Sequence, residues 1–413
     1  MIISGILGLF TIVCKSLRQH VVSTIITAIS IALACGLVMS VFVINEQAKT
    51  AFRGGSVDFD AVLGAKGSQL QLVLNSVFHL ETSPGNIPWS LYQAIKKDKR
   101  IKLAVPYAVG DNYFGYRLVG TTKDIFISLK LKAGRRFKAD VREAVVGSFV
   151  AQKTGLKVGS RISPFHGLAF NKNSQHQEVY EIVGVLKPSN TPSDRVIWIP
   201  IESFYRMGGH VLRGKKGSKP YAAEEGKEIP DEYKEVSAVM LKLKSKIWLL
   251  NLDRQINGGK VATFAPIVRT ISSFMGKMGW IIKILKYIAY LVILVAAASI
   301  VASIYNSINE RKRNFAIFRA LGARKSTVFS AIILESASIA GIGALFGFLV
   351  YIGIFSVAAL LIRSETGVVM DFTYHLSLIL TPIGSMLIGA IAGVIPAVKA
   401  YSTDVASHLS PTT

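Results

Sequence analysis

Val21–Ile44 reads VVSTIITAISIALACGLVMSVFVI, 24 residues without a charged side chain. At about 1.5 Å of helical rise per residue, roughly 20 such residues cross a hydrocarbon layer about 30 Å thick. The stretch predicts a membrane span, and the fold is read outward from it. Lys15, Arg18 and His20 precede it, as basic residues precede a secretory signal. The run is longer than a signal core of roughly 7–15 residues, and no small-residue cleavage site follows it cleanly, so a retained span is expected. Residues 1–20 read as a cytoplasmic amphipathic helix on the membrane surface. Ile6, Leu9, Phe10, Val13 and Leu17 would face lipid, and Lys15 and Arg18 the headgroups.

Three further apolar runs follow: Trp280–Tyr305, Val328–Ile362 and Leu376–Lys399. The whole chain of 413 residues is 51% hydrophobic, near the soluble average of about 45–50%, with a mean hydropathy of +0.42; the clustering is what discriminates. The second run carries Lys283, Lys286, Tyr287 and Tyr290 near one end, side chains that snorkel or sit at an interface. The third holds a single charge, Glu335, and the glycines Gly341, Gly343 and Gly347. Gly343 and Gly347 form a GxxxG, a spacing that lets another helix approach closely. An intramembrane carboxylate is expensive, and Glu335 reads as an ion pair or hydrogen bond near the inner interface. In the fourth run Pro382 lies near the start, and Pro396 is expected to break the helix near its end. Cys14 and Cys35 support no disulfide framework and read as small apolar fillers.

Residues 306–326, NSINERKRNFAIFRALGARKS, hold six basic side chains against Glu310 alone. Residues 363–375 hold Arg363 against Glu365 and Asp371. The positive-inside rule then places 306–326 and both termini in the cytoplasm. The expected order is a surface helix (1–20), first span (21–45), outer domain (46–279), second span (280–305) and cytoplasmic segment (306–326). A third span (327–362), short outer loop (363–375), fourth span (376–399) and cytoplasmic tail (400–413) complete it. The fold class is a membrane protein of four transmembrane α-helices in a 1+3 arrangement with a large α+β extracytoplasmic domain. That domain is basic, 36 Lys and Arg against 20 Asp and Glu, but long translocated domains largely escape the rule. The net charge of +23, beside apolar runs, favours membrane lipids or an acidic partner over nucleic acid.

Within 46–279, β-branched runs predict strands at Lys102–Ala108, Tyr116–Gly120, Glu143–Phe149, Val179–Leu186, Val196–Pro200 and Val236–Leu243. Trp89–Lys96, Ile201–Met207 and Ile247–Ile256 predict helices. Residues 131–200 read as an all-β insertion, flanked by mixed pieces at 57–130 and 201–270, and 211–235 as an exposed, mobile loop rich in Gly, Lys and Glu. His166, His176 and Glu178 fall within 13 residues, and a strand would put His176 and Glu178 on one face. A zinc site needs three or four converging ligands. Only two are linked by spacing here, so surface residues and no metal are expected. Leu63–Ser68, LGAKGS, lacks the spacing of a phosphate-binding loop and reads as an exposed turn. No acid–base or nucleophilic constellation converges, so the chain is expected not to be an enzyme and to bind no cofactor itself.

Residues 306–326 carry a helical pattern, with Phe315, Phe318 and Ile308 on one side, basic residues on the other and Gly322 at the end. Glu310-Arg311-Lys312-Arg313-Asn314-Phe315-Ala316-Ile317-Phe318-Arg319-Ala320-Leu321-Gly322-Ala323 resembles the run E-R-R-R-E-I-G-I-L-R-A-L-G-A of the FtsX/MacB-like (type VII, mechanotransmission) permeases of ABC transporters. Leu334-Glu335-Ser336 is similar to that family's opening of the third span. Lys15-Ser16-Leu17-Arg18 is similar to its basic pre-span helix, and Pro396-Ala397-Val398-Lys399-Ala400 to its closing P-A-x-x-A. Asn314 departs from a usual glutamate. The resemblance implies a bacterial inner (cytoplasmic) membrane protein whose periplasmic domain combines a porter-like part with an inserted β sub-domain. It implies two permease copies, or a copy and a paralogue, on a cytosolic ATPase dimer that holds ATP and Mg²⁺. Glu310, Arg311, Arg313, Phe315, Phe318, Arg319 and Gly322 would couple to that ATPase, while Glu335, Gly343, Gly347 and Pro396 would be structural. The implied activity is transmission of ATP-driven motion to the outer domain, moving a lipoprotein, lipid, peptide or small molecule there. A periplasmic adaptor, lipoprotein or envelope enzyme would be a further partner. The alternative is a signalling subunit that regulates a cell-envelope enzyme without transport.

Overall fold

In a computed structural model of the chain, residues 2–54, 58–167, 170–210, 212, 220–221, 223–224, 227–320, 322–367, 369–372 and 374–401 are described. They form two compact units. One comprises Met1–Ala48, Met278–Leu360 and Asp371–Thr413, and the other Lys49–Lys277 with Leu361–Met370.

The first unit is helical. Among the described residues, four segments are long and apolar enough to cross a membrane: Val21–Gln47, Ile267–Ile308, Lys325–Glu365 and Ser377–Lys399. The helices that carry them run further than the apolar residues alone, over Val21–Gly54, Ile267–Ala320, Lys325–Thr366 and Ser377–Tyr401, and Ile2–Gln19 precedes them. Pro396 does not break the fourth helix as expected; both Pro382 and Pro396 lie inside it. A proline costs one backbone hydrogen bond, and membrane helices tolerate this where neighbouring groups satisfy the freed carbonyl.

Small residues set the approach of the spans. A Cβ on Gly343 would lie 2.7 Å from Ile31 Cβ and 2.8 Å from the Ala28 carbonyl, and one on Gly347 would lie 2.9 Å from Cys35 Cβ. The GxxxG face of the third span therefore meets the first span backbone to backbone. A turn or two along nearly the same face, the third span meets the fourth, where a Cβ on Gly389 would come within 2.5 Å of Ala340 Cβ. In lipid such van der Waals contact drives association, because burial from water does not.

The second unit is built on one sheet, eleven-stranded among the described residues. From one edge it runs Ala262–Pro266, Ala61–Ala65, Ala238–Leu243, Ile101–Tyr113 and Tyr116–Thr121. It continues through Ile197–Pro200, Glu143–Val146, Tyr180–Leu186 and Leu131–Gly134. Arg161–Ile162 adds to Tyr180–Leu186, and Phe165–His166 to Ile101–Tyr113. Pairing is antiparallel except between Ile197–Pro200 and Tyr116–Thr121 and between Glu143–Val146 and Tyr180–Leu186. Strands from 131–200 thus lie in the same sheet as those on either side of them in sequence.

Both faces of the sheet are covered, so its strands read as apolar runs rather than alternating ones. Ile197 and Ile199 point into one core with Leu63, Leu118 and Phe264, and Trp198 into the other with Val62, Tyr107 and Met240. Leu63–Ala65, expected in an exposed turn, are the buried end of the Ala61–Ala65 strand; Gly64 leaves room there for Leu72.

His79 predicts how this unit answers acid. Its imidazole lies edge-on to Trp198 at 6.1 Å between ring centres, with Nδ1 buried and unpaired. Burial, then the charges of Arg117 and Arg195, hold its pKa down to about 3 against 6.5 in the unfolded chain. The unfolded state therefore binds the extra proton between those values, so this contribution is complete above about pH 6.5 and is lost as pH falls toward 3. Melting followed by tryptophan fluorescence should show Tm falling below pH 6.5. His79→Asn, tolerated at the φ of 56° found there, should flatten that acid limb; an unchanged limb would remove His79 from the account.

Candidate functional site

The basic segment closes the long second helix. Its backbone is helical through Ala320, and Gly322 follows in the left-handed region at φ 97°, a common helix ending, before Lys325 opens the next helix. The side chains of Glu310, Arg311, Arg313, Phe315, Phe318 and Arg319 lie outside the described residues.

Within the helical unit, polar side chains of different helices meet in pairs. Glu335 is buried and accepts a hydrogen bond from Ser16 Oγ of the Ile2–Gln19 helix. Ser23 and Ser303 hydroxyls lie 2.8 Å apart between the first and second spans. Lys399 donates to Tyr305 Oη, joining the fourth to the second. These bonds give costly intramembrane groups partners and fix helix register.

In the second unit a different constellation forms. Asp111 lies near the end of the Ile101–Tyr113 strand, opposite His166 of the short Phe165–His166 strand. A register irregularity between Val109 and Asp111 accompanies the position, and bulges of this kind re-aim side chains. The His176 backbone N–H donates to Pro164 O at 2.9 Å, which brings His176 back to the same place. His210 arrives from the other direction, through the Gly208-Gly209 turn after the Ile201–Tyr205 helix, with Gly209 at φ 86°.

The donor atoms of Asp111, His166, His176 and His210 all lie within 4.8 Å of one another. His166 Nδ1 is 3.2 Å and His176 Nε2 3.4 Å from Asp111 Oδ1, and His210 Nε2 is 3.0 Å from Oδ2. The three ring centres form a nearly equilateral triangle with sides of 5.5–5.6 Å. Burial pushes the Asp111 carboxyl up, but the hydrogen bond from His176 and the surrounding imidazoles outweigh it and hold the pKa at about 2. The same hydrogen bond raises His176 against its own burial. Glu178 stands behind this group: Oε1 accepts from the Gly208 N–H at 2.8 Å, and Oε2 is 4.0 Å from His176 Nδ1. Of the residues singled out by spacing, the structure brings His166 and His176 together, sets Glu178 outside them, and adds Asp111 and His210.

The MacB-like periplasmic core domain matches residues 24–256, and the FtsX-like permease C-terminal region matches residues 287–405. An uncharacterized ABC transporter permease of Methanocaldococcus jannaschii, MJ1507, is 25% identical over 221 residues, 53% of this chain. The chain spans about half, 51%, of that relative. Among solved structures, the periplasmic region of MacB from Actinobacillus actinomycetemcomitans is similar at 14% identity and a TM-score of 0.31, covering 54% of this chain and 95% of that one. The extracellular domain of the noncanonic ABC-type transporter YknZ from Gram-positive bacteria is similar at 14% identity and a TM-score of 0.29, covering 50% of this chain and 99% of that one. With the core-domain match running over more than half of its residues, and with four helices able to span, this multi-pass membrane protein with a large extracytoplasmic domain belongs to the family of the MacB-like periplasmic core domain.

Proposed function

We propose that the chain is the permease subunit of an ABC transporter that passes ATP-driven motion from a cytosolic ATPase to its outer domain. The continuity of the Ile267–Ala320 helix carries this reading. The helix begins directly after the Ala262–Pro266 strand of the outer sheet, contains the second span, and ends in the basic segment. A hydrogen-bonded helix transmits displacement along its axis, whereas a flexible loop absorbs it. Two copies, or a copy and a paralogue, act on an ATPase dimer in the bacterial inner membrane, with both termini cytoplasmic and the sheet domain periplasmic. ATP and Mg²⁺ belong to the ATPase. The cargo is a lipoprotein, lipid, peptide or small molecule handled at the outer face.

The test is reconstitution of the chain with its co-expressed ATPase in lipid discs. Spin labels at Lys153 of two copies should change separation when ATP is added, and hydrolysis should differ from that of the ATPase alone. An ATPase that neither binds the chain nor changes its turnover would end the reading.

A further inference from the structure

We propose that Asp111, His166, His176 and His210 form a binding site for a divalent transition metal of the zinc class, taken up from the outer side of the membrane. The arrangement of protons on the rings supports this before any metal is considered. His210 Nδ1 lies 3.0 Å from the Phe204 carbonyl oxygen, which can only accept, so Nδ1 carries a proton. In the neutral ring Nε2 is then a lone pair, and it faces Asp111 Oδ2 at 3.0 Å. Two acceptors face each other, and Oδ2 is buried with no aligned hydrogen bond. A buried carboxylate oxygen left so is costly, and a cation between the two turns the clash into two coordinate bonds.

The donor set and spacing fit zinc. Bonds of about 2.0–2.1 Å in a tetrahedron put neighbouring ligand atoms about 3.3 Å apart. The three carboxylate–imidazole distances here are 3.0–3.4 Å, His166 and His176 to Oδ1 and His210 to Oδ2, and the four donors lie within 4.8 Å of one another, so the set has little to contract around an ion. Three imidazoles and one carboxylate favour Zn²⁺, Co²⁺, Ni²⁺ or Cu²⁺ over the all-oxygen preferences of Mg²⁺ and Ca²⁺. An outer partner of the kind that orients metal-binding histidines is in place, the Phe204 carbonyl behind His210, and Glu178 Oε2 stands 4.0 Å from His176 Nδ1. Access is from one side: the Asp111 side chain is fully buried and those of His176 and His210 nearly so, while the His166 side chain is 57% exposed. Asn112 Nδ2 donates to Gly167 O at 2.8 Å and steadies that open edge. A bound ion would pin His166, His176 and His210 to the Ile101–Tyr113 strand.

The full-length chain, purified in detergent and stripped with a chelator, should bind one Zn²⁺ per chain by calorimetry and elemental analysis. Zn²⁺ should raise its Tm, Mg²⁺ and Ca²⁺ should not compete, and Co²⁺ should give the visible bands of four-coordinate geometry. Loss of an outer partner alone weakens metal sites by about 10–100-fold, so His176→Ala and His210→Ala should each lose at least about 100-fold in affinity. His166→Ala, at the open edge, serves where the buried variants fail to fold and should lose the four-coordinate Co²⁺ spectrum. Absence of stoichiometric Zn²⁺ in the parent chain, or equal binding and spectra in all three variants, would reduce the cluster to a hydrogen-bonded network. Neither result touches the permease reading, which rests on the long helix.

Discussion

A Phe315→Ala, Phe318→Ala double variant is expected to lose capture of the ATPase while remaining folded and inserted. Positions 315 and 318 are spaced i, i+3 on a backbone that is helical through Ala320, the spacing of a single helix face. An amphipathic helix that lays such a face into a groove uses aromatic anchors for affinity and its charges for orientation. Truncating a buried aromatic anchor commonly costs about 2 kcal/mol or more, roughly 30-fold in affinity for each residue. The pair should therefore reduce binding by two orders of magnitude or more if the losses add. Lys325 lies exposed beyond Gly322 at the start of the next helix, and Lys325→Ala should change binding by no more than a few-fold. Pull-down and ATP turnover on the same preparations check this, with gel filtration as the control for folding. Wild-type binding and turnover in the double variant would leave 306–326 as a basic loop without a partner.

Much of the architecture is legible because few physical solutions exist for long uncharged runs. Val21–Ile44 has to be a helix in lipid or a buried one, and its length decides between them. Helix ends are harder to read. The second helix begins at Ile267 rather than Trp280, because Ile267 and Ile271 are buried in the core beneath the sheet and extend the helix past its lipid-facing residues. Strands rich in β-branched residues, such as Tyr180–Leu186, show in the sequence. Ala61–Ala65 does not: its small residues and Gly64 suit a strand only because Leu72 fills the space beside them.

The histidine cluster shows where local spacing stops informing. His166 and His176 are close in sequence, and that proximity alone marks them. Asp111 and His210 reach the same point through sheet register and a turn, which no pattern within a window encodes. The available signal was an aspartate inside the apolar strand IKLAVPYAVGDNY. A carboxylate that will be buried needs partners or an ion, and three imidazoles gather around this one.

Trp198→Ala should be the most damaging single change in the outer unit. The side chain is fully buried on a central strand whose backbone pairs with Val119 on one side and Val145 on the other. Its ring packs against Tyr107 at 5.5 Å between centres and meets His79 edge-on. Ile197 and Ile199 point to the opposite core, so the cavity left by truncation opens wholly on one face. Removing a buried Trp costs about 3–5 kcal/mol, much of the total stability of an ordinary domain. For a domain of this size that corresponds to a fall in Tm of roughly 10–15 °C. Among the described residues the indole Nε1 has no hydrogen-bond partner, so Trp198→Phe loses part of the contact area but also relieves a buried, unsatisfied donor. Trp198→Phe should therefore melt within a few degrees of the parent while Trp198→Ala does not. Near-ultraviolet circular dichroism of the full chain, with proteolysis as a second probe, separates the two. Equal losses would mean that a contact made only by the indole, not the cavity left by truncation, sets the stability of this core.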